Sequence, residues 1–320
     1  MNAGSRPASG RAPRTPHDPR SPQDPRSRTR ANPSEDLLLP LDLPSKAEEP
    51  APEPRPETRI RIGTSGYSFA DWVGPFYPQG TKPSDFLTYY SRHFDIVEVN
   101  ATYYRIPQPR VLEQMERKTP ARFRFVVKLH HSMTHEDTLD AGSVQDFRAA
   151  LVPLREAGKL DALLAQFPWA FRSSAASWER LSRLRDALPD DPLFVEFRHD
   201  SWNTPDLAER LRERRLGFCA VDEPALSGLM PPVVHLTADD GYVRFHGRNA
   251  ATWWGSGAGG GDRYDWNYRR EELNEWVGKI AELADRARRT YLFFNNCHAG
   301  QAARSAKLMQ ELLRQQKLSA

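Results

Sequence analysis

Cysteine is nearly absent from the 320 residues: Cys219 and Cys297 are the only two. Two thiols cannot build a disulfide framework or a multi-cysteine zinc site, and a reducing, cytoplasmic setting is expected. Long apolar runs are missing as well. No run of about 18 apolar residues occurs, so no membrane-spanning helix and no membrane partner are expected. No apolar signal segment is visible near the start. Aromatics are missing from residues 1–59 altogether, although the chain holds 15 Phe, 10 Tyr and 8 Trp. The same segment holds 13 of the 27 prolines. So little apolar surface cannot offset chain entropy, so residues 1–59 are expected to form a disordered Pro/Arg-rich tail, and residues 60–320 one large core. Net charge is missing too. Residues 60–320 carry 35 basic and 33 acidic side chains, which gives no broad electrostatic case for nucleic acid. In the tail, residues 1–30 have seven arginines against Asp18 and Asp24. Six prolines there oppose the amphipathic helix of a transit peptide and favour a solvated tail. A weak anion or RNA contact by those 30 residues stays open.

From residue 60 onward, apolar β-rich runs alternate with amphipathic ones. The pattern predicts strands over Ile60–Thr64, Ile96–Asn100, Phe123–His130, Ala162–Phe167, Leu193–His199, Gly217–Asp222, Tyr242–His246 and Tyr291–Asn295. It predicts helices over Ser84–His93 with Ser84 as cap, Pro109–Arg117, Ser143–Ala157 with a break or kink at Pro153, Ser174–Leu188, Thr204–Arg215, Arg270–Arg289 and Gln301–Gln316. Residues 223–240 carry Pro224, Pro231 and Pro232, so a short or missing sixth helix is expected. Eight alternations predict a single (β/α)8 TIM-type barrel of the α/β class. The doubly wound alternative usually has a G-x-G-x-x-G turn after its first strand. Here that turn reads GTSGYSFADW.

Polar residues recur on one strand parity. Glu98 and Asn100 alternate with Val97 and Val99; Lys128 and His130 share a parity with Val126, and Gln166 with Leu164. Glu196 and Arg198 alternate with Val195 and Phe197, Asp222 shares a parity with Ala220, and Arg244, His246 and Arg248 alternate with Val243 and Phe245. Asn295 and Asn296 end the last strand. In a barrel that parity lines the interior or the C-terminal mouth, where these groups must pair or meet water or ligand. A buried ion-pair network that only fills the barrel is the plain alternative. A site is the other reading, because perturbed ionisable groups cluster at sites. Mouth charges of Lys128, Arg198, Arg244 and Arg248 against Glu98, Glu196 and Asp222 suit a polar or anionic small ligand. Glu98, Glu196, Asp222 and His246 are the candidate acid and base groups. Trp253 and Trp254, in a Gly-rich loop over residues 249–265, could stack on a base or sugar or close as a lid.

The residues IGTSGYSFADW with GPFYP (62–78), FDIVEVNATYYRIP (94–107), FRFVVKLHHSMTH (123–135), LLAQFP (163–168), FVEFRHDSW (194–202), YVRFHGR (242–248) and LFFNNCHAGQAARSA (292–306) resemble the YecE-like family of bacteria and archaea, known by a domain of unknown function numbered seventy-two. The resemblance implies a TIM-type barrel and leaves the reaction open. Its pattern marks Thr64, Ser65, Gly66, Trp72, Glu98, Asn100, Tyr103, Lys128, His135, Gln166, Glu196, Arg198, Trp202, Asp222, Arg244, His246, Gly247, Arg248, Asn295, Asn296 and Gly300. The family often has His directly after the Asn pair, where this chain has Cys297. Cys219 reads as core, and Cys297 as the more plausible reactive thiol.

The expected function is binding and conversion of a small phosphate- or sugar-like compound by a hydrolase- or isomerase-like site. Thr64, Asn100, Tyr103, Lys128, Gln166, Arg198, Arg244, Arg248, Asn295, Asn296, Trp253 and Trp254 are the expected binding residues, and no cofactor is expected. Alternatives are a metal-dependent phosphoester hydrolase using His130, His246, Glu98, Glu196 and Asp222, or a non-enzymatic binder of single-stranded nucleic acid or a small molecule. No H-x-H or H-E-x-x-H occurs, and the basic neighbours oppose a cation.

Overall fold

The computed structural model describes residues 59–255 and 262–318. The expected tail lies outside the described residues, apart from Arg59. Eight parallel strands run in the order β1-β8-β7-β6-β5-β4-β3-β2. They are β1 (Ile60–Thr64), β2 (Ile96–Val99), β3 (Arg124–Lys128), β4 (Leu160–Gln166), β5 (Leu193–Glu196), β6 (Gly217–Asp222), β7 (Gly241–Phe245) and β8 (Thr290–Phe294). The seam between β1 and β2 closes through a Ser65–Glu98 bridge and the Gly66 N–H donating to the Glu98 carbonyl at 2.8 Å. Gly63 permits that approach, because a Cβ there would stand 2.3 Å from the Ile96 carbonyl oxygen.

The helices are α1 (Phe86–His93), α2 (Ala101–Tyr104), α3 (Pro109–Arg117), α4 (His131–Thr134), α5 (Ala141–Glu156), α6 (Ala175–Ala187), α7 (Leu207–Glu213), α8 (Arg270–Arg286) and α9 (Gln301–Gln315). Between β6 and β7 no helix forms, as the prolines predict. Ser84 does not cap α1. It lies in a 3-10 turn and donates to Asp85 Oδ1 instead. The break expected at Pro153 is absent. Pro153 sits in the last turn of α5, where the one intrahelical bond it removes would have gone to the exposed Ala149. The seventh helix is shorter than its pattern, and α2 and α4 are single turns that periodicity does not reveal.

The barrel interior is layered. Ile96, Val126, Ala162, Leu164, Phe194, Cys219, Tyr242, Tyr291 and Phe293 form an apolar middle layer, separate from the larger core between strands and helices. Below it, at the N-terminal ends of the strands, Arg61, Arg124 and Arg289 approach Asp161 at 3.9, 3.4 and 3.7 Å. Above it lies a second charged layer, at the C-terminal mouth.

Candidate functional site

The upper layer is built on one arginine. Arg244, 1 % exposed, donates to Glu98 Oε1 and to Glu196 Oε2, each at 2.6 Å. Glu98 Oε2 also accepts from Tyr242 Oη at 2.5 Å. Glu196 Oε1 accepts from Arg198 Nε at 2.5 Å, and His246 Nε2 lies 3.2 Å away. Arg198 Nη1 reaches on to Glu223 Oε2 at 3.2 Å. The second imidazole nitrogen of His246 meets Asn295 Nδ2 at 3.1 Å. With the Asn295 amide donating, the imidazole proton sits on Nε2, facing Glu196.

Electrostatics divides these groups. Burial alone would raise the Glu196 carboxyl, but Arg198 and then Arg244 overturn this and hold it well below its usual range. Burial, aided by Arg198, pulls His246 down to about 3, so the ring is neutral at physiological pH. Burial pushes Glu223 up to about 8 against the pull of Arg198. Burial, with Arg244 beside it, lowers Lys128 to about 7. The Lys128 ammonium donates to Gln166 Oε1 at 2.8 Å and stands 4.3 Å from the Tyr103 ring centre. Lys128, Gln166, Asn100, Tyr103 and Asn295 are half-buried along the mouth. Asn100 Oδ1 is buried without a hydrogen-bond partner among the described residues.

Described residues of the loop after β7 approach this floor. Tyr264 stands 6.0 Å from the His246 ring and 6.2 Å from Trp253, which is buried. Trp254 stays 54 % exposed and meets the edge of Trp169, itself 38 % exposed, at 5.4 Å. Residues 256–261, the Gly-rich part of the expected lid, lie outside the described residues.

Several expected residues lie elsewhere. Asp222 faces α8 rather than the interior. It accepts from Trp276 Nε1 and Tyr268 Oη, both at 2.5 Å, and from Arg248 Nη2 at 2.6 Å. Gly247 redirects the chain after β7. Its φ of +91° and the nearness of Trp266 leave no room for a side chain, and Arg248 turns out to Asp222 and to Glu275, at 2.9 Å. Asp222 and Arg248 thus anchor α8, and Glu223 takes the interior place assigned to Asp222. Thr64 likewise packs outward, bonded to Tyr90 Oη at 3.0 Å, while Ser65 faces Arg244 Nη2 at 3.3 Å. Asn296 is buried behind β8, donating to the Trp266 carbonyl and to Ser305 Oγ. Cys297 is no activated thiol: burial raises its pKa, and Sγ contacts the Ser65 carbonyl at 3.3 Å. Cys219 is core, as expected.

The five residues of the metal alternative do not converge. His130 caps α4 through Ser132, Asp222 is outside, and arginines hold Glu98 and Glu196. Among the described residues no group of three or more His, Cys, Asp or Glu is placed to hold a metal ion.

A family model described as "Protein of unknown function DUF72" matches residues 61–320. The chain belongs to the DUF72 family. This DUF72 barrel is 32 % identical over 274 residues to the UPF0759 protein YunF of Bacillus subtilis, covering 79 % of this chain and 94 % of YunF. Identity to the UPF0759 protein YecE of Escherichia coli K12 is 26 % over 281 residues, covering 80 % and 93 %. A crystal structure of a DUF72 family protein of Thermotoga maritima aligns at a TM-score of 0.74 with 43 % identity, over 80 % of this chain and 99 % of that one. One from Enterococcus faecalis aligns at 0.72 with 26 % identity, over 80 % and 95 %. Among the described residues no helix is long and apolar enough to cross a membrane.

Proposed function

We propose that this barrel binds a small anionic compound at its C-terminal mouth and converts it by proton transfer. One observation carries the reading. Lys128, the half-buried cation of the mouth, makes no ion pair among the described residues, although Glu98 and Glu196 are close enough to act on its charge. Arginines use those carboxylates, so an incoming anion supplies the missing partner. The acid and base roles move accordingly. Glu98, Glu196 and neutral His246 orient Arg244 and Arg198. Lys128 at about 7 and Glu223 at about 8 are the groups that exchange protons near neutrality. Exposed Trp254 and Trp169 favour a ligand that carries a flat face, and a nucleotide of a single strand fits that chemistry as a second reading.

Calorimetric titration with oxalate and inorganic phosphate tests the first reading. Binding near pH 7 should take up protons, because an anion beside Lys128 raises its proton affinity. The uptake is read from the dependence of the heat on buffer ionisation. Absence of binding at millimolar anion, or binding that Lys128→Met leaves unchanged, refutes it.

A further inference from the structure

Resting on the anion-site reading, we propose that Lys128 is a nucleophile that forms an imine with the carbonyl carbon of a small anionic aldehyde or ketone. The geometry points there because this half-buried lysine differs from Lys159, which is fully buried. Lys159 is saturated: its Nζ meets Glu116 Oε1 at 2.9 Å and donates to the Glu116 and Thr119 carbonyls at 2.8 and 2.9 Å. Among the described residues Lys128 Nζ has one hydrogen bond, to Gln166, and it lies over the face of Tyr103 at the rim of a floor whose arginines are paired with carboxylates. An amine with one partner and access to the mouth can turn its lone pair toward a ligand carbon.

The step balances without an outside reagent. The free amine attacks the carbonyl carbon, the C–O π pair moves to oxygen, and one N–H proton of the adduct passes to that oxygen. A second proton, from solvent water, lets it leave as water while the nitrogen lone pair forms the C=N bond of a protonated imine. A C=N bond replaces C=O, and no electrons leave or enter. The protonated imine keeps its charge over the Tyr103 ring, where a cation is already accommodated. With Lys128 near 7, about half of the amine is free base at neutral pH. That is on the order of a thousandfold more free amine than an ordinary lysine offers. A desolvated lysine beside another cation is a recurring form of activated nucleophile.

The test is reductive trapping on the full chain. Glyoxylate, an aldehyde bearing a carboxylate, is added with cyanoborohydride near pH 7, and modified lysines are located by peptide mass mapping. Lys128 should react at least about tenfold faster than exposed Lys82, oxalate should suppress the adduct, and Lys128→Arg should abolish it. If oxalate raises the melting temperature but Lys128 reacts no faster than Lys82, the imine is overturned and the anion site stands. If oxalate neither binds nor protects, both readings fall.

Discussion

Replacing Lys128 by Met should make the protein more stable, and the gain should depend on pH. Lys128 is held at about 7 against an ordinary 10.5, first by burial and then by Arg244. That span corresponds to about 5 kcal/mol of discrimination against the charged form. Water at the half-buried mouth cuts this to about 2 kcal/mol. Methionine fills a similar volume and leaves Gln166 Oε1 without its donor, which costs about 1 kcal/mol. The net gain is about 1 kcal/mol near pH 6, or about 2–4 °C in melting temperature for a domain of this size. The sign follows from linkage. The folded protein binds the lysine proton more weakly, so the unfolded chain carries more protons between pH 7 and 10.5. Native stability therefore rises with pH across that window and is flat below it. The wild type should close its gap to the variant, and overtake it, between about pH 7 and 10. Thermal unfolding of both proteins over that range measures this. A variant less stable than wild type near pH 6, or a difference that ignores pH, refutes the argument that Lys128 is a charge kept at a cost.

Glu223 should tilt stability the other way. Its folded pKa of about 8 exceeds the ordinary 4.5, so the folded protein binds more protons between those values and stability falls as pH rises through them. Glu223→Gln should flatten that slope in urea titrations at several pH values; an unchanged slope would assign it to other groups. Arg244→Met leaves Glu98 and Glu196 buried without their shared partner, so a loss of about 3–5 kcal/mol in urea unfolding is expected. A cost under about 1 kcal/mol would mean that water reaches the floor. Asp222→Asn should cost about 2 kcal/mol by loosening α8, with oxalate affinity unchanged in calorimetry. A lost affinity with full stability would return Asp222 to the site.

The strand parity behind part of this candidate site is readable in some strands and not in others because of how each strand is buried. In β2, β5 and β7 and the residues just after them, the interior positions hold Glu98, Glu196, Arg198, Arg244 and His246, and the alternate positions hold Val97, Val195, Phe197, Val243 and Phe245. Polar and apolar residues sort cleanly, so the eight-strand count and the charged floor were both legible. In β6 the run Phe218, Cys219, Ala220, Val221 is buried on both faces and carries no alternation. Nothing local distinguished Asp222 from Glu223, and the more regular-looking strand end was the wrong one. In β1 the positions Thr64 and Ser65 are equally small and polar, and only the family resemblance marked Ser65. Arg248 kept the parity of Arg244 and His246 in sequence but lost it at Gly247, where a positive φ redirects the chain. Tyr264 lies in a loop, where no periodicity exists to read.

These corrections change the chemistry and not only the map. Moving Asp222 and Arg248 out and Glu223 in leaves three basic and three acidic groups at the mouth. Arg198 and Arg244 use up Glu98 and Glu196. Arg198 also meets Glu223, so Lys128 is the mouth cation without an ion pair among the described residues, and burial brings Lys128 and Glu223 each toward neutrality from opposite sides. An ion-pair network that only fills the barrel gains nothing from a lysine without a carboxylate at its rim. Such a lysine could be replaced by an apolar residue with a gain in stability. The proposed proton-exchanging or imine-forming mouth would use that lysine, and a melting-temperature gain for Lys128→Met together with a loss of anion binding would tie its stability cost to function.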